Sequence, residues 1–374
     1  MIIAIPNEIA DNETRVALTP EVAAKYVDAG HEVWLETGAG DKAGKLDSAY
    51  QEKGVTIKDH TEEIYKGADL LLKINAPDAE QIALMSEGTV LISFLWALQN
   101  NELVETLKKH KITALGMDAI PRISRAQSMD ALSSMSSLAG YKSVLMAASN
   151  LGKYFPMMMT AAGTIPPSKV LVLGAGVAGL QAIATAKRLG AVVEAFDIRP
   201  VVKEQVESLG ATFVEIPDID DETESEGGYA KELSSDSQER QRQVIHEHAK
   251  KSDVIITTAL IPGKKAPLLV TEAMVEDMEP GSVVVDLAAE QGGNCEVTEA
   301  GKTIKSHDVN ILGPLNIPAT VPQHASQLYA KNMQSLLNHL FEDDSLVFDF
   351  EDEITLKTTI THDGEIISPL LKDD

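Results

Sequence analysis

The chain has 374 residues, 44% of them hydrophobic, a length that exceeds one compact core and fits two domains of ordinary size. Its 32 Lys and Arg stand against 57 Asp and Glu, and the formal net charge of −25 argues against nucleic-acid partners and against direct adhesion to anionic lipid. The single cysteine, Cys295, excludes an intrachain disulfide and points to a reducing compartment, with a buried small residue its expected role.

Met1–Pro6 reads as a strand entering a domain rather than a cleavable signal, and no stretch approaches about 18 uninterrupted apolar residues. The expected location is therefore cytoplasmic. After the strand Ile2–Ile5, Thr19-Pro20-Glu21 starts a helix that Gly30 stops. Further strands are expected at His31–Glu36, Asp69–Ile74, Val90–Leu95 and Ile112–Leu115, with helices at Asp78–Met85 and Glu102–His110 between them. A helical run from Asp130 to Leu151 connects to a second series: strand Val170–Leu173, helix Val177–Leu189, strand Val192–Phe196, helix Val201–Leu209 and strand Thr212–Val214. After a polar stretch come Val254–Thr257, a helix near Glu272–Glu276 and the strand Ser282–Asp286. Strands alternating with helices imply parallel sheets covered on both faces, so the expected class is α/β with two Rossmann-like, doubly wound domains. Gln323–Phe341 has helical apolar spacing, and Ile354–Ile360 alternates like an edge strand. Met157–Met159 is expected to pack at the domain junction.

The residues GAGVAG at Gly174–Gly179 follow the strand Val170–Leu173 and open the helix at Val177. Each glycine has a task in binding a dinucleotide. Gly174 permits the tight turn, Gly176 lets a pyrophosphate approach backbone, and Gly179 lets helix pack on strand. The helix N-terminus offers unpaired N–H groups to the phosphates. Asp197 stands 23 residues after Gly174, at the end of the next strand, where a carboxylate accepts from both ribose hydroxyls and favours NAD over NADP. Arg199, an arginine able to accommodate a 2′-phosphate, leaves that preference open. A second glycine pair, Gly38 and Gly40, lacks a following periodic helix and reads as a loop. No metal site is expected: His246 and His248 lie two apart on a helix and diverge.

The run RISRAQSMDALSS from Arg122 to Ser134, LAGY at 138–141, the glycine turn, DLAAEQGG at 286–293 and the segment Asn316–Asn332 together resemble the NAD(H)-binding component of proton-translocating NAD(P) transhydrogenases. The similarity covers essentially the whole chain. It implies an N-terminal domain of residues 1–131 completed by 325–374, an NAD(H)-binding domain at 132–324, and a homodimer. It also implies docking, on the cytoplasmic side of a membrane, to an NADP(H)-binding component and membrane-spanning subunits encoded separately, with hydride passing between the two nicotinamides. By the same resemblance Arg122, Gln127 and Asp130 approach the nicotinamide, and Ile123, Ser124 and Ser133 join that contact set. Val177, Ile198, Gly228, Gln241 and Leu260 line the cofactor beside the glycines, Asp197 and Arg199. Tyr229 belongs to a loop closing on the nucleotide. Composition alone reads the acidic stretch at Pro217–Gln243 as a disordered surface insertion, while its paired glycines and following aromatic suggest a mobile lid.

Alanine dehydrogenases set the first alternative. Arg15 and Lys73 stand where such an enzyme has two of its groups, but Trp96 occupies the place of its histidine. Deamination needs that proton carrier, whereas hydride transfer between nicotinamides needs only alignment and water exclusion. Arg15 and Lys73 are then expected as structural ion-pair residues. The other alternative is a non-catalytic NAD-binding regulator that keeps the fold alone.

Overall fold

Short apolar strands between helices bury their backbone polar groups by pairing side by side, and this chain does so in two separate sheets. The computed structural model describes residues 1–216, 235–261 and 264–371. The chain divides into two compact units, Met1–Met135 with Pro318–Asp374, and Ser136–Ile317. The first division falls within the helix Ala131–Asn150.

In the first unit six parallel strands lie in the order Thr56–Lys58, Glu32–Glu36, Ile2–Ile5, Leu70–Leu72, Val90–Ser93, Thr113–Gly116. Counted along the chain this is 3-2-1-4-5-6, with the direction of winding reversing beside the first strand. The returning segment adds Thr359–His362 antiparallel to Thr113–Gly116, and Glu365–Ile366 outside it. The edge strand expected at 354–360 is not found as such. Asp352 caps a short helix, Glu353–Thr358, accepting from the Ile354 and Thr355 N–H groups, so the strand starts only at Thr359 and is itself covered. A side-chain cap decides the local structure there against a weak alternation.

The second unit repeats the order. Thr212–Val214, Val192–Phe196, Lys169–Leu173, Val254–Thr257, Val283–Asp286 and Val309–Leu312 are parallel, and Thr303–Ser306 closes the edge antiparallel. Val170 and Val172 pack with Ala182, Ile183 and Ala186 of the helix Val177–Arg188, while Leu171 and Leu173 pack on the other face with Ile245 and Met274. Successive side chains of a strand covered on both faces must all be apolar, which is why KVLVL reads as a continuous run.

Met157 and Met159 are not packed as expected: they are 57% and 78% exposed. Met159 lies in, and Met157 just before, a two-stranded hairpin, Met158–Thr160 with Gly163–Ile165, that pairs with neither large sheet. Among the described residues no helix is long and apolar enough to cross a membrane.

Candidate functional site

The glycine turn sits where winding reverses in the second unit, between the C-terminal ends of Lys169–Leu173 and Val254–Thr257. Its three glycines differ in what a side chain would meet. Gly174 has φ +100°, and a Cβ there would lie 2.6 Å from the Thr258 hydroxyl. At Gly179 a Cβ would lie 1.8 Å from the Gly174 carbonyl oxygen, so helix and strand touch backbone to backbone. At Gly176, the helix N-cap, it would meet nothing within 4 Å. Two glycines are thus required by the fold itself, and the third keeps open space in front of a helix N-terminus, the shape a pyrophosphate needs. Val177, the first helical residue, is exposed beside it. Gly140 of the helix Ala131–Asn150 meets the same turn: a Cβ there would lie 2.0 Å from the Ala178 carbonyl oxygen.

Asp197 directly follows the neighbouring strand Val192–Phe196 and is buried, with its Oδ2 accepting the Ala175 N–H at 2.7 Å. One carboxylate therefore fixes the turn from the side. Its other partner is Arg199, whose backbone N–H and Nε donate to Oδ1 at 2.9 Å and whose Nη2 donates to Oδ2 at 2.8 Å. Ile198, between them, is half-buried.

Across the reversal point, the Thr258 hydroxyl donates to the Gly174 carbonyl at 3.1 Å. The following loop carries the half-exposed Leu260. Asn294, fully buried, clamps that loop: its amide donates to the Ala259 and Pro267 carbonyls, and its oxygen accepts the Ala259 N–H. Asp286 in turn holds the segment bearing Asn294, accepting from Thr257 and Thr298 hydroxyls and from the Ala288 and Cys295 N–H groups. Sequence reasoning missed both positioning roles. The available signal was an acid ending the otherwise apolar strand Val283–Asp286, followed by two glycines with positive φ, Gly292 and Gly293. Gln241 is buried on the helix Ser235–Ala249, whereas Gly228, Tyr229 and most of the lid stretch lie outside the described residues. Cys295 is buried, and burial pushes its thiol up to about 11. His248 pairs with Glu194 and His246 with Asp277, and among the described residues no His, Cys, Asp and Glu cluster is placed to hold a metal ion.

In the first unit Arg122, Ile123, Gln127, Asp130 and Ser133 line one cavity of about 330 Å³ together with Pro121. Ser124 is not among the residues lining it; it opens the 3-10 turn Ser124–Met129. In a 3-10 turn residues three apart share a face, which buries Ala126 and Met129 together, while Gln127 and the residue after the turn, Asp130, face the cavity. Asp130 has a further task that the resemblance does not supply. It caps the helix Ala131–Asn150, accepting from the Ser133 N–H at 2.8 Å and the Ser133 hydroxyl at 2.6 Å. The returning segment holds the turn: the Asn332 amide donates to the Ser128 carbonyl at 2.9 Å, and Arg125 pairs with Asp352 at 2.5 Å. Burial raises the Asp352 carboxyl, but the Thr355 N–H, Arg125 and His339 outweigh it and hold it at about 2.

The reversal point of the first unit, between Ile2–Ile5 and Leu70–Leu72, is filled by charge. Arg15 grips Glu13 through Nε at 2.8 Å and Nη2 at 2.6 Å, Lys73 lies 3.6 Å from Glu8, and Asn75 donates to both carboxylates. All four charged groups are buried. Burial raises the Glu13 carboxyl, but the hydrogen bonds and charge of Arg15, with Asn75, outweigh it and hold it at about 2. Trp96 stacks on Phe94 at 5.7 Å with φ +50°, its backbone N–H and that of Leu95 donating to the half-buried Asp118. Arg15 and Lys73 are ion-pair residues, as expected.

Two family models match the chain: alanine dehydrogenase/PNT, N-terminal domain, over residues 4–139, and alanine dehydrogenase/PNT, C-terminal domain, over 143–369. The chain is 50% identical over 379 residues to an NAD(P) transhydrogenase alpha-subunit polypeptide of Rhodospirillum rubrum, covering 99% of each. Its structure is similar to that of a transhydrogenase from Sinorhizobium meliloti, with a TM-score of 0.90 at 43% identity over 98% of this chain and 100% of that one. It is also similar to an L-alanine dehydrogenase, with a TM-score of 0.81 at 27% identity over 99% and 97%.

Proposed function

We propose, for a chain that belongs to the alanine dehydrogenase/PNT family and within it to the NAD(P) transhydrogenase alpha subunits, that it binds NAD(H) at the Gly174–Gly179 turn and exchanges hydride with NADP(H) held by a partner component. The single observation that carries this reading is the open backbone at Gly176 in front of a helix N-terminus, with the Asp197 carboxylate fixed beside it. NAD(H), when bound, supplies a nicotinamide carbon that gives or takes hydride. The chain's own residues do the rest. The N–H groups at the start of Val177–Arg188 hold the pyrophosphate, and Asp197 takes the ribose hydroxyls. Gln127, with Arg122 and Asp130, orients the nicotinamide and excludes water without itself moving a proton.

In this reading the nucleotide domain runs over 132–324 and the other over 1–131 with 325–374. Proton translocation belongs to separate membrane chains, which keep this subunit at the cytoplasmic face of the membrane. The exposed Met159 and Ile165 of the 158–165 hairpin, with the exposed Tyr154 and Met157 before it, support a homodimer, since large exposed apolar side chains are a common feature of interfaces. An amino-acid dehydrogenase reading has less support, because the Arg15 and Lys73 cations are buried against carboxylates.

The test is reduction of an NAD analogue by NADPH. It should appear only when the purified chain is mixed with an NADP(H)-binding partner, and alanine-dependent NAD reduction by the chain alone would sink the proposal. Gln127→Ala should lower hydride transfer about a hundredfold, the scale of misaligned reactants, with the NADH dissociation constant within about twofold. Equal losses in both would make Gln127 a binding residue only.

A further inference from the structure

The acceptor positions of Asp197 are taken by donors of the chain itself. Oδ1 accepts two donors of Arg199 at 2.9 Å, and Oδ2 accepts the Ala175 N–H at 2.7 Å and the Arg199 Nη2 at 2.8 Å. A carboxylate offers about four lone-pair sites, so two ribose hydroxyls can be accepted only if donors leave. The Ala175 and Arg199 backbone donors are fixed by the turn and by the strand exit. The guanidinium is the displaceable partner. We infer that Arg199 is a specificity-determining residue of this nucleotide site: it competes with the ribose for Asp197, and Asp197 in turn keeps it from serving a 2′-phosphate. This rests on the turn holding NAD(H).

The charge balance explains why the pair acts as a unit. Asp197 and Arg199 together carry no net charge, and both are largely buried, with side chains 6% and 14% exposed. A 2′-phosphate brought to the ribose position meets the carboxylate directly, while the planar cation of Arg199 beside it is already bound on its Nε and Nη2 edge. Replacing the carboxylate by an amide leaves a net positive charge and a guanidinium whose donors suit phosphate bidentately. Replacing the arginine leaves the carboxylate uncontested for the hydroxyls.

Dissociation constants for NADH and NADPH should be measured by titration on the full chain carrying Arg199→Ala, Asp197→Asn and both. Arg199→Ala is expected to tighten NADH severalfold without admitting NADPH. Asp197→Asn is expected to weaken NADH about tenfold and to tighten NADPH about tenfold, the worth of one charge-assisted hydrogen bond. The double variant should lose the NADPH gain. A gain that persists in the double variant, no gain at all, or weaker NADH binding by Arg199→Ala would overturn the inference while leaving the nucleotide site in place. If no variant alters NADH affinity, the site itself is elsewhere. Thermal unfolding of each variant checks folding, and the single Arg199→Ala arm still decides the competition if the amide variant does not fold.

Discussion

The two units wind their parallel strands in the same 3-2-1-4-5-6 order, yet the points at which the winding reverses have opposite chemistry. In an open α/β sheet this is the place where loops diverge and leave a crevice for a ligand. The second unit keeps it open with glycines, lining it with backbone N–H groups and one carboxylate. The first unit fills it with Glu8, Glu13, Arg15, Lys73 and Asn75, and the returning helix Pro322–Leu340 seals it, the Tyr329 hydroxyl donating to the Lys73 carbonyl. Topology alone therefore does not make a ligand site. What stands at the reversal decides, and buried charges that satisfy one another leave nothing for a substrate to bind.

The largest expected effect comes from breaking the filled crevice. Arg15→Met leaves the Glu13 carboxylate buried without its cation, and urea unfolding should show a loss of about 3–5 kcal/mol with NADH affinity unchanged. A changed affinity would mean that the two crevices are not independent. In the open crevice, Gly179→Ala drives a Cβ into the Gly174 carbonyl and should cost about 3 kcal/mol together with NADH binding. Gly176→Ala should leave the melting temperature alone and weaken NADH only, because its Cβ obstructs ligand rather than protein. Equal melting losses in the two variants would remove the distinction.

Acid sharpens the contrast further. Glu13 ionises near 2 in the folded chain against 4.5 ordinarily, so its contribution is complete above about pH 4.5 and is lost as pH falls toward 2. That loss should be on the order of 3 kcal/mol, read as the difference between the wild type and Glu13→Gln across this window. The smallest effect is expected at Asn332→Ala, which removes one hydrogen bond to the Ser128 carbonyl. Stability should fall by about 1 kcal/mol. Hydride transfer should fall severalfold with NADH affinity unchanged, and an unaltered transfer rate would free the loop from dependence on the returning segment.

Local chemistry made much of this legible. The strand–turn–helix order around Gly174 follows from apolar runs and glycine spacing, and the Arg122–Ser134 run carries its resemblance on its own residues. Elements whose signal is tertiary were not legible. The hairpin Thr303–Ser306 to Val309–Leu312 turns on His307 and Asp308, both with positive φ, without the glycine that usually marks such a turn. The exposed Met157 and Met159 at the 158–165 hairpin and the helix at Glu353–Thr358 run against expectation, because an apolar residue need not be packed, nor an alternating one extended. Asp130 shows a subtler limit. Its place beside the Arg122 loop follows from resemblance, but its commitment to Ser133 as a helix cap depends on where the helix begins.

The sequence by itself determined the α/β class and the glycine turn, because period, turn chemistry and helix starts act over a few residues. Only the tertiary structure decided the partners of each charge. It alone revealed that Arg199 lies on Asp197, that Arg15 lies on Glu13, and that Asn332 and Asp352 reach back to the Arg122–Asp130 loop. The physical reason is range. Backbone preferences are settled between neighbours, whereas a buried charge must find its counter-ion wherever the folded chain brings one.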